Sequence, residues 1–148
     1  MDKRLISDSK WLADEKLQTL LAALSTDGEE ARIVGGAVRN TLLGQTVTDI
    51  DIATTTEPSE TVRRARSAGF RTAPTGIDHG TVTVIADGRA WEVTTLRADV
   101  ETDGRHASVT FGRDWRSDAE RRDFTINALY ARADGEIVDL VGGLPDLE

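Results

Sequence analysis

The sequence predicts an α+β domain, a mixed sheet covered by helices mainly on one face. Helix-like and strand-like periodicities alternate along the chain. Asp-Gly pairs at 87–88 and 134–135 separate short β-rich runs, where hairpins commonly turn. The length of 148 residues allows about one domain with a real core.

The elements follow in order. Residues 10–24 place Trp11 or Leu12, Leu17, Leu20, Leu21 and Leu24 at helical spacing, which predicts an amphipathic first helix that STDGEE breaks. ARIVGG reads as a short buried strand running into glycines, and AVRNTLLG as a helix closed by Gly44. TDIDIATT alternates polar and apolar residues like a strand with one buried face, so Asp49 and Asp51 share a face and Ile50 and Ile52 fill the other. Glu57, Pro58 and Ser59 open a helix through residue 69, with proline in its tolerated first turn. HGTVTVIADGRAWEVTTLR predicts two strands joined by residues 86–89. Residues 98–116 are charged and aperiodic and read as a mobile loop. SDAERRDFTINALYA begins with Ser117 and Glu120 at capping-box spacing, which predicts that a helix starts there, with Phe124 and Leu129 in the core. After it, ALYARADGEIVDL reads as two short strands around Asp134-Gly135.

Composition narrows the function. No cysteine is present, which removes disulfides, thiolate catalysis and cysteine-based zinc sites and fits a reducing, cytoplasmic setting. No apolar run approaches the roughly 18 residues of a membrane span, so no membrane partner is expected. The formal net charge of −8 argues against this chain alone gripping a nucleic-acid backbone. His79 and His106 are too few and too far apart to argue a zinc site.

The chemistry-bearing residues begin with Asp49 and Asp51. On a strand, residues two apart project the same way about 6–7 Å apart, close enough to serve two metal ions roughly 3.5–4 Å from each other. Hard oxygen ligands suit Mg²⁺, which takes its remaining ligands from water and substrate phosphates. The same pair also suits an exposed strand whose acids face water. Gly35 and Gly36, between strand and helix, let backbone approach an anion closely, and Arg39, about one turn further, can bond the same phosphates. An ordinary strand-to-helix turn has the same glycines, and the spacing matches neither a Walker loop nor GxGxxG. Glu92 shares a strand face with Ala90 and Thr94, as a third metal ligand, a base or a surface acid. Arg121, Arg122, Asp123 and Asn127 are polar for one short helix. They suit contact with a nucleotide's sugar and phosphates, or i to i+4 surface pairs.

IVGGAVRNTLLG, DIDIATTT, HGTVTV, EVTTLR, RRDFTINAL and VDLVGGLPDL occur in that order from about Ile33 to the end. Together they resemble the catalytic head of the class II tRNA nucleotidyltransferase and bacterial poly(A) polymerase family. That resemblance implies a nucleotidyltransferase fold of the DNA polymerase β type. It also implies two Mg²⁺ ions on Asp49 and Asp51, and attack by an RNA 3′-hydroxyl on the α-phosphate of CTP or ATP. Gly35, Gly36 and Arg39 then look like triphosphate contacts, and Arg122, Asp123 and Asn127 like the border of the nucleotide sugar and phosphates.

There are two departures from the family pattern. Asn40 stands where the family usually has an acid. The neck, body and tail helices, which in the family carry base selection, do not follow residue 148. The expectation is one head domain, a CCA-adding or poly(A)-adding catalytic half that binds ATP or CTP with little base preference and turns over little alone. A tRNA or other RNA 3′ end would be gripped mostly by the missing parts. A non-catalytic nucleotide-binding module is the competing expectation.

Overall fold

Alternation along a strand decides which face of a sheet each side chain joins, and here it divides a packed core from an open, charged surface. A computed structural model describes residues 10–47, 49–76, 80–97, 111–122 and 125–146. Among these, the elements are α1 (Glu15–Leu24), β1 (Ala31–Val34), α2 (Gly36–Leu42), β2 (Asp51–Thr54), α3 (Pro58–Ser67), β3 (Arg71–Gly76), β4 (Thr81–Ala86) and β5 (Arg89–Thr95). They continue with α4 (Trp115–Glu120), a 3₁₀ turn (Thr125–Asn127), β6 (Leu129–Ala131), β7 (Ile137–Asp139) and α5 (Gly143–Asp146).

The seven strands form one sheet in the order β3-β4-β5-β2-β1-β6-β7. Only the central β2–β5 pair is parallel; the other pairings are antiparallel. The sheet is therefore mixed, as the sequence predicts. Leu17, Leu20, Leu21 and Leu24 of α1 are each 0% exposed and pack with Ile33, Ile52, Val82, Val84, Trp91, Val93 and Leu129. Ala37 and Val38 of α2 and Ala65 of α3 complete this cluster, which puts three helices on one face. Each fully buried leucine contributes about 1.5–3 kcal/mol relative to exposure. The opposite face carries a smaller cluster of Val34, Ala53, Leu96, Ala119, Ala128 and Tyr130 under α4.

Several boundaries differ from the sequence reading. Helix α1 begins at Glu15 rather than residue 10, because the Asp14 carboxylate caps it by accepting from Lys16 N–H at 3.1 Å. Leu12 is still buried, with its carbonyl held by the Gln18 side-chain amide at 2.8 Å. Strand β2 starts at Asp51, not at residue 48. Its neighbour β1 turns away at Gly35, so antiparallel pairing ends at Val34 with Asp51, and Asp49 and Ile50 lie just before the ladder. Strand β3 is an addition: it lacks clean alternation and contains Pro74, which an edge strand with an irregular register tolerates.

The helix expected from Ser117 is also corrected. Helix α4 starts at Trp115, capped by Asp114, which accepts from Arg116 N–H at 3.0 Å and from the Ser117 hydroxyl at 2.9 Å. It ends at Glu120, and Leu129–Ala131 is a strand, as the reading of ALYARADGEIVDL expects. Pairing with both β1 and β7, together with full burial of Leu129 and Tyr130, stabilises the strand there. Asn127 is not on α4 but closes a separate 3₁₀ turn. Asp123 and Phe124 lie outside the described residues, as do His79, His106 and residues 98–110 of the expected mobile loop. Of that loop's remainder, Phe111 bridges to Arg97, and Trp115 and Arg116 are helical. Among the described residues no helix is long and apolar enough to cross a membrane.

Both Asp-Gly hairpins form, β4–β5 and β6–β7. At the first, Asp87 and Gly88 both take positive φ (52° and 76°), the conformation a tight twisted hairpin requires.

Candidate active site

Strand β1 delivers the chain to Gly35, which takes φ 78° and ψ −129°, a conformation essentially reserved for glycine. Its N–H donates to the Leu129 carbonyl at 3.2 Å, which ties this turn to β6. Gly36 then opens α2, and a Cβ placed there would lie 3.6 Å from Nη2 of Arg39. Arg39 Nη1 donates to Asn127 Oδ1 at 2.8 Å and its Nε donates to Asn40 Oδ1 at 3.1 Å. Two residues expected at the nucleotide, Arg39 and Asn127, are thus bonded to each other across 88 positions of sequence. Asn40 also donates to the Thr46 carbonyl at 3.1 Å, so its amide fastens the segment leaving α2.

The carboxylates meet at the centre of the sheet. Asp51 of β2 is in register with Glu92 of β5, and Glu92 is in register with Thr83 of β4. Adjacent strands lie about 4.8 Å apart, so the two carboxylates stand side by side. Asp49 joins them from the segment before β2, and the three acids with Ile50, Thr83 and Ala90 line an open cavity of about 350 Å³. Ile52 points the other way into the main core, and Ile50 packs against it, as alternation predicts. Partial desolvation of Asp51, then the charges of Glu92 and Asp49, raise its pKa above the ordinary aspartate value, while Arg122 opposes the rise. Asp51 therefore sits in an excess of negative charge.

A second cavity of about 210 Å³ continues from the same carboxylates. Asp51 and Glu92 line it together with Gly35, Thr94, Asp118 and Arg122. The sequence reading brought Gly35, Asp51, Glu92 and Arg122 to the site, and the structure gathers those four here. Gly36 and Arg39 stand one step behind, at the start of α2 and on Asn127. Asp118 was not singled out from sequence. It is 7% exposed and accepts from Arg121 Nη2 at 2.8 Å, Arg122 Nη2 at 3.1 Å and the Tyr130 hydroxyl at 2.5 Å. Its signal was an acid three and four positions before two arginines, which on a helix places all three together.

The donors at this site are hard oxygens, and three of them are carboxylates whose mutual repulsion a divalent cation would relieve. They suit Mg²⁺. Among the described residues no three or more histidines, cysteines, aspartates or glutamates are grouped so that together they could hold a metal ion. Mg²⁺ is usually held by one or two carboxylates, with water and substrate phosphates completing the shell.

Residues 31–148 match the family model described as the poly A polymerase head domain. The chain is 45% identical over 138 residues to the mitochondrial CCA tRNA nucleotidyltransferase 1 of Mus musculus, covering 93% of this chain and 32% of that protein. It superimposes with a TM-score of 0.75 on the crystal structure of the Bacillus stearothermophilus CCA-adding enzyme in complex with CTP, at 39% identity, covering 89% of this chain and 31% of that one. A tRNA nucleotidyltransferase complexed with a primer tRNA and an incoming ATP analog gives a TM-score of 0.64 at 29% identity, covering 86% of this chain and 36% of that one. The fold is the nucleotidyltransferase fold. This chain belongs to the poly A polymerase head domain family, and it spans about a third of the length of these relatives.

Proposed function

We propose that this chain is the catalytic head of an RNA nucleotidyltransferase that adds CMP and AMP, from CTP and ATP, to the 3′-hydroxyl of tRNA. The observation that carries the reading is the row of Asp51 and Glu92, which line two cavities at once, one with Asp49 and the other with the Gly35 turn and Arg122. The Mus musculus relative and the neighbours crystallised with CTP and with tRNA and an ATP analog support the choice of substrates. A cytoplasmic location fits the cysteine-free composition.

In this reading Asp49 and Asp51 hold Mg²⁺. Bound there, Mg²⁺ would supply charge neutralisation at the reacting phosphates and acidify the attacking hydroxyl. The turn at Gly35 and Gly36 lets backbone approach the triphosphate, and Arg39 and Arg122 supply cationic partners for its oxygens. Asn127 orients Arg39. Glu92, beside Asp51, is placed to accept the proton of the 3′-hydroxyl or to complete the ion's shell. The 3′-oxygen bonds to the α-phosphorus, the bond from that phosphorus to the β-bridging oxygen breaks, and pyrophosphate leaves. No covalent enzyme intermediate is needed. In this reading the net charge of −8 leaves these residues little basic surface with which to grip the tRNA backbone.

The test is incubation with Mg²⁺, labelled CTP or ATP, and a tRNA lacking its terminal CCA. Limited addition of C and A to the tRNA end supports the proposal. The family description also fits poly(A) addition, and a long A tail on any RNA end would favour that second reading. No incorporation by the chain even at high enzyme concentration, with Mg²⁺ and nucleotide shown to bind, would confine it to nucleotide binding.

A further inference from the structure

Tyr130 takes no part in the chemistry above, yet it is a phenol with 0% exposure at the edge of the site. Its hydroxyl donates to Asp118 Oδ2 at 2.5 Å, the same oxygen that accepts from Arg122 Nη2 at 3.1 Å. The other Asp118 oxygen is taken by Arg121 at 2.8 Å. The Tyr130 ring meets Trp115 edge-on with centroids 5.2 Å apart, and Arg32 lies 4.1 Å over the far ring of that pair. Arg122's guanidinium carbon is 5.8 Å from the Tyr130 centroid. Arg122 Nε is buried and has no hydrogen-bond partner among the described residues, although Arg122 lines the cavity shared with Gly35, Asp51 and Glu92.

These contacts form a chain from a fixed aromatic pair, through a buried carboxylate, to a long cationic side chain. Arg122 is held by the Asp118 carboxylate and by the Tyr130 ring, so its direction is set by how firmly those two partners are fixed. A phenylalanine at 130 would fill the same space and make the same edge-on contact with Trp115. What the phenol adds is one short hydrogen bond to the oxygen that holds Arg122, and burying that hydroxyl is tolerable only because the bond is made.

We propose that Tyr130 is a positioning residue: by fixing Asp118 Oδ2 it aims the Arg122 guanidinium into the carboxylate cavity, where its exposed edge can meet an oxygen of the incoming nucleotide. This deepens the reading of Arg122 as a nucleotide contact and rests on it. Tyr130 touches neither substrate nor metal; it acts through Asp118 and Arg122.

The test uses Tyr130→Phe, Arg122→Ala and the double variant of this chain, with Mg-ATP as the probe. Calorimetry should show Tyr130→Phe weakening Mg-ATP by about three- to tenfold. The same change should have no further effect in the Arg122→Ala background. In parallel, the ¹⁵N spectrum of arginine side chains, with the Arg122 Nε signal assigned by its loss in Arg122→Ala, should show that signal becoming mobile in Tyr130→Phe while backbone amides keep their positions. An unchanged Arg122 Nε signal overturns the proposal, as does an equal affinity loss in both backgrounds. Arg122→Ala binding Mg-ATP as well as wild type would instead remove Arg122 from the nucleotide site. The Nε signal, which needs no nucleotide, would still decide whether Tyr130 positions it.

Discussion

On strand β5, Trp91 and Val93 point into the main core at 2% and 1% exposure, whereas Glu92 between them stands exposed on the other face beside Asp51. Strand β2 repeats the division, with Ile52 in the core and Asp51 in the cavity. One face holds four fully buried leucines of α1 over apolar strand residues, and the other gathers carboxylates that repel one another. The same backbone thus gives rigidity on one side and fixed, unfavourably close charges on the other. The rigid side is what holds those charges at fixed positions.

That contrast predicts that substitutions on the two faces separate activity from stability. The largest effect on activity should come from Asp49→Ala or Asp51→Ala, each losing several kcal/mol of charge stabilisation and hence roughly 10³-fold in labelled nucleotide incorporation. Chemical denaturation of both variants should stay close to wild type. A parallel collapse of stability would mean that the carboxylates are structural.

Leu20→Ala, on the covered face, should do the reverse. It should cost about 2–5 kcal/mol in urea unfolding. Nucleotide affinity per folded molecule should be unchanged, and a selective loss of Mg-nucleotide binding would break the division between faces.

Gly35→Ala probes the junction between them. The cavity has room for the methyl, since a Cβ would lie 3.9 Å from the Asn127 carbonyl, so the cost comes from the backbone. Roughly 1–3 kcal/mol is expected from holding alanine at that φ and ψ. Binding of Mg-ATP should weaken as well, because the turn lines the carboxylate cavity.

The smallest effect should be a gain. The folded pKa of Asp51 is raised, so its charged form is disfavoured on folding and its ionisation removes stability as pH rises through that folded value. Asp51→Asn should therefore be slightly more stable than wild type near neutral pH, by no more than about 0.5 kcal/mol given solvent screening at this open site. The gain should vanish in acid, below the ordinary aspartate value of 3.8 where the wild-type carboxyl is protonated in both states. Unfolding midpoints of both proteins measured from pH 3 to 8 check the sign, and a variant less stable than wild type at pH 7 would contradict it.

The periodic elements and their faces were legible because alternation and turn chemistry are local. The sequence shows that Ile52 goes one way and Asp51 the other, and that Asp87-Gly88 turns a hairpin. Pairing partners are not local. Nothing in TDIDIATT says that β1 stops at Gly35 and thereby leaves Asp49 outside the ladder. ALYARADGEIVDL reads as two strands, but nothing in it says that the first will also pair with β1. Strand β3 was missed because Pro74 and an irregular register hide its pattern. At the site, Gly35, Asp51, Glu92 and Arg122 were found from residue type and resemblance. Asp118 and Tyr130 were passed over because their importance lies in contacts with Arg122 that only the folded chain displays.

The most direct test of the central claim is calorimetric titration of ATP and CTP into this chain, with and without Mg²⁺, for wild type and Asp51→Ala. Binding that requires Mg²⁺, is similar for the two nucleotides and is lost in Asp51→Ala is the predicted result. Binding that is indifferent both to Mg²⁺ and to Asp51→Ala would contradict it, and would make this face a nucleotide-binding surface without the chemistry.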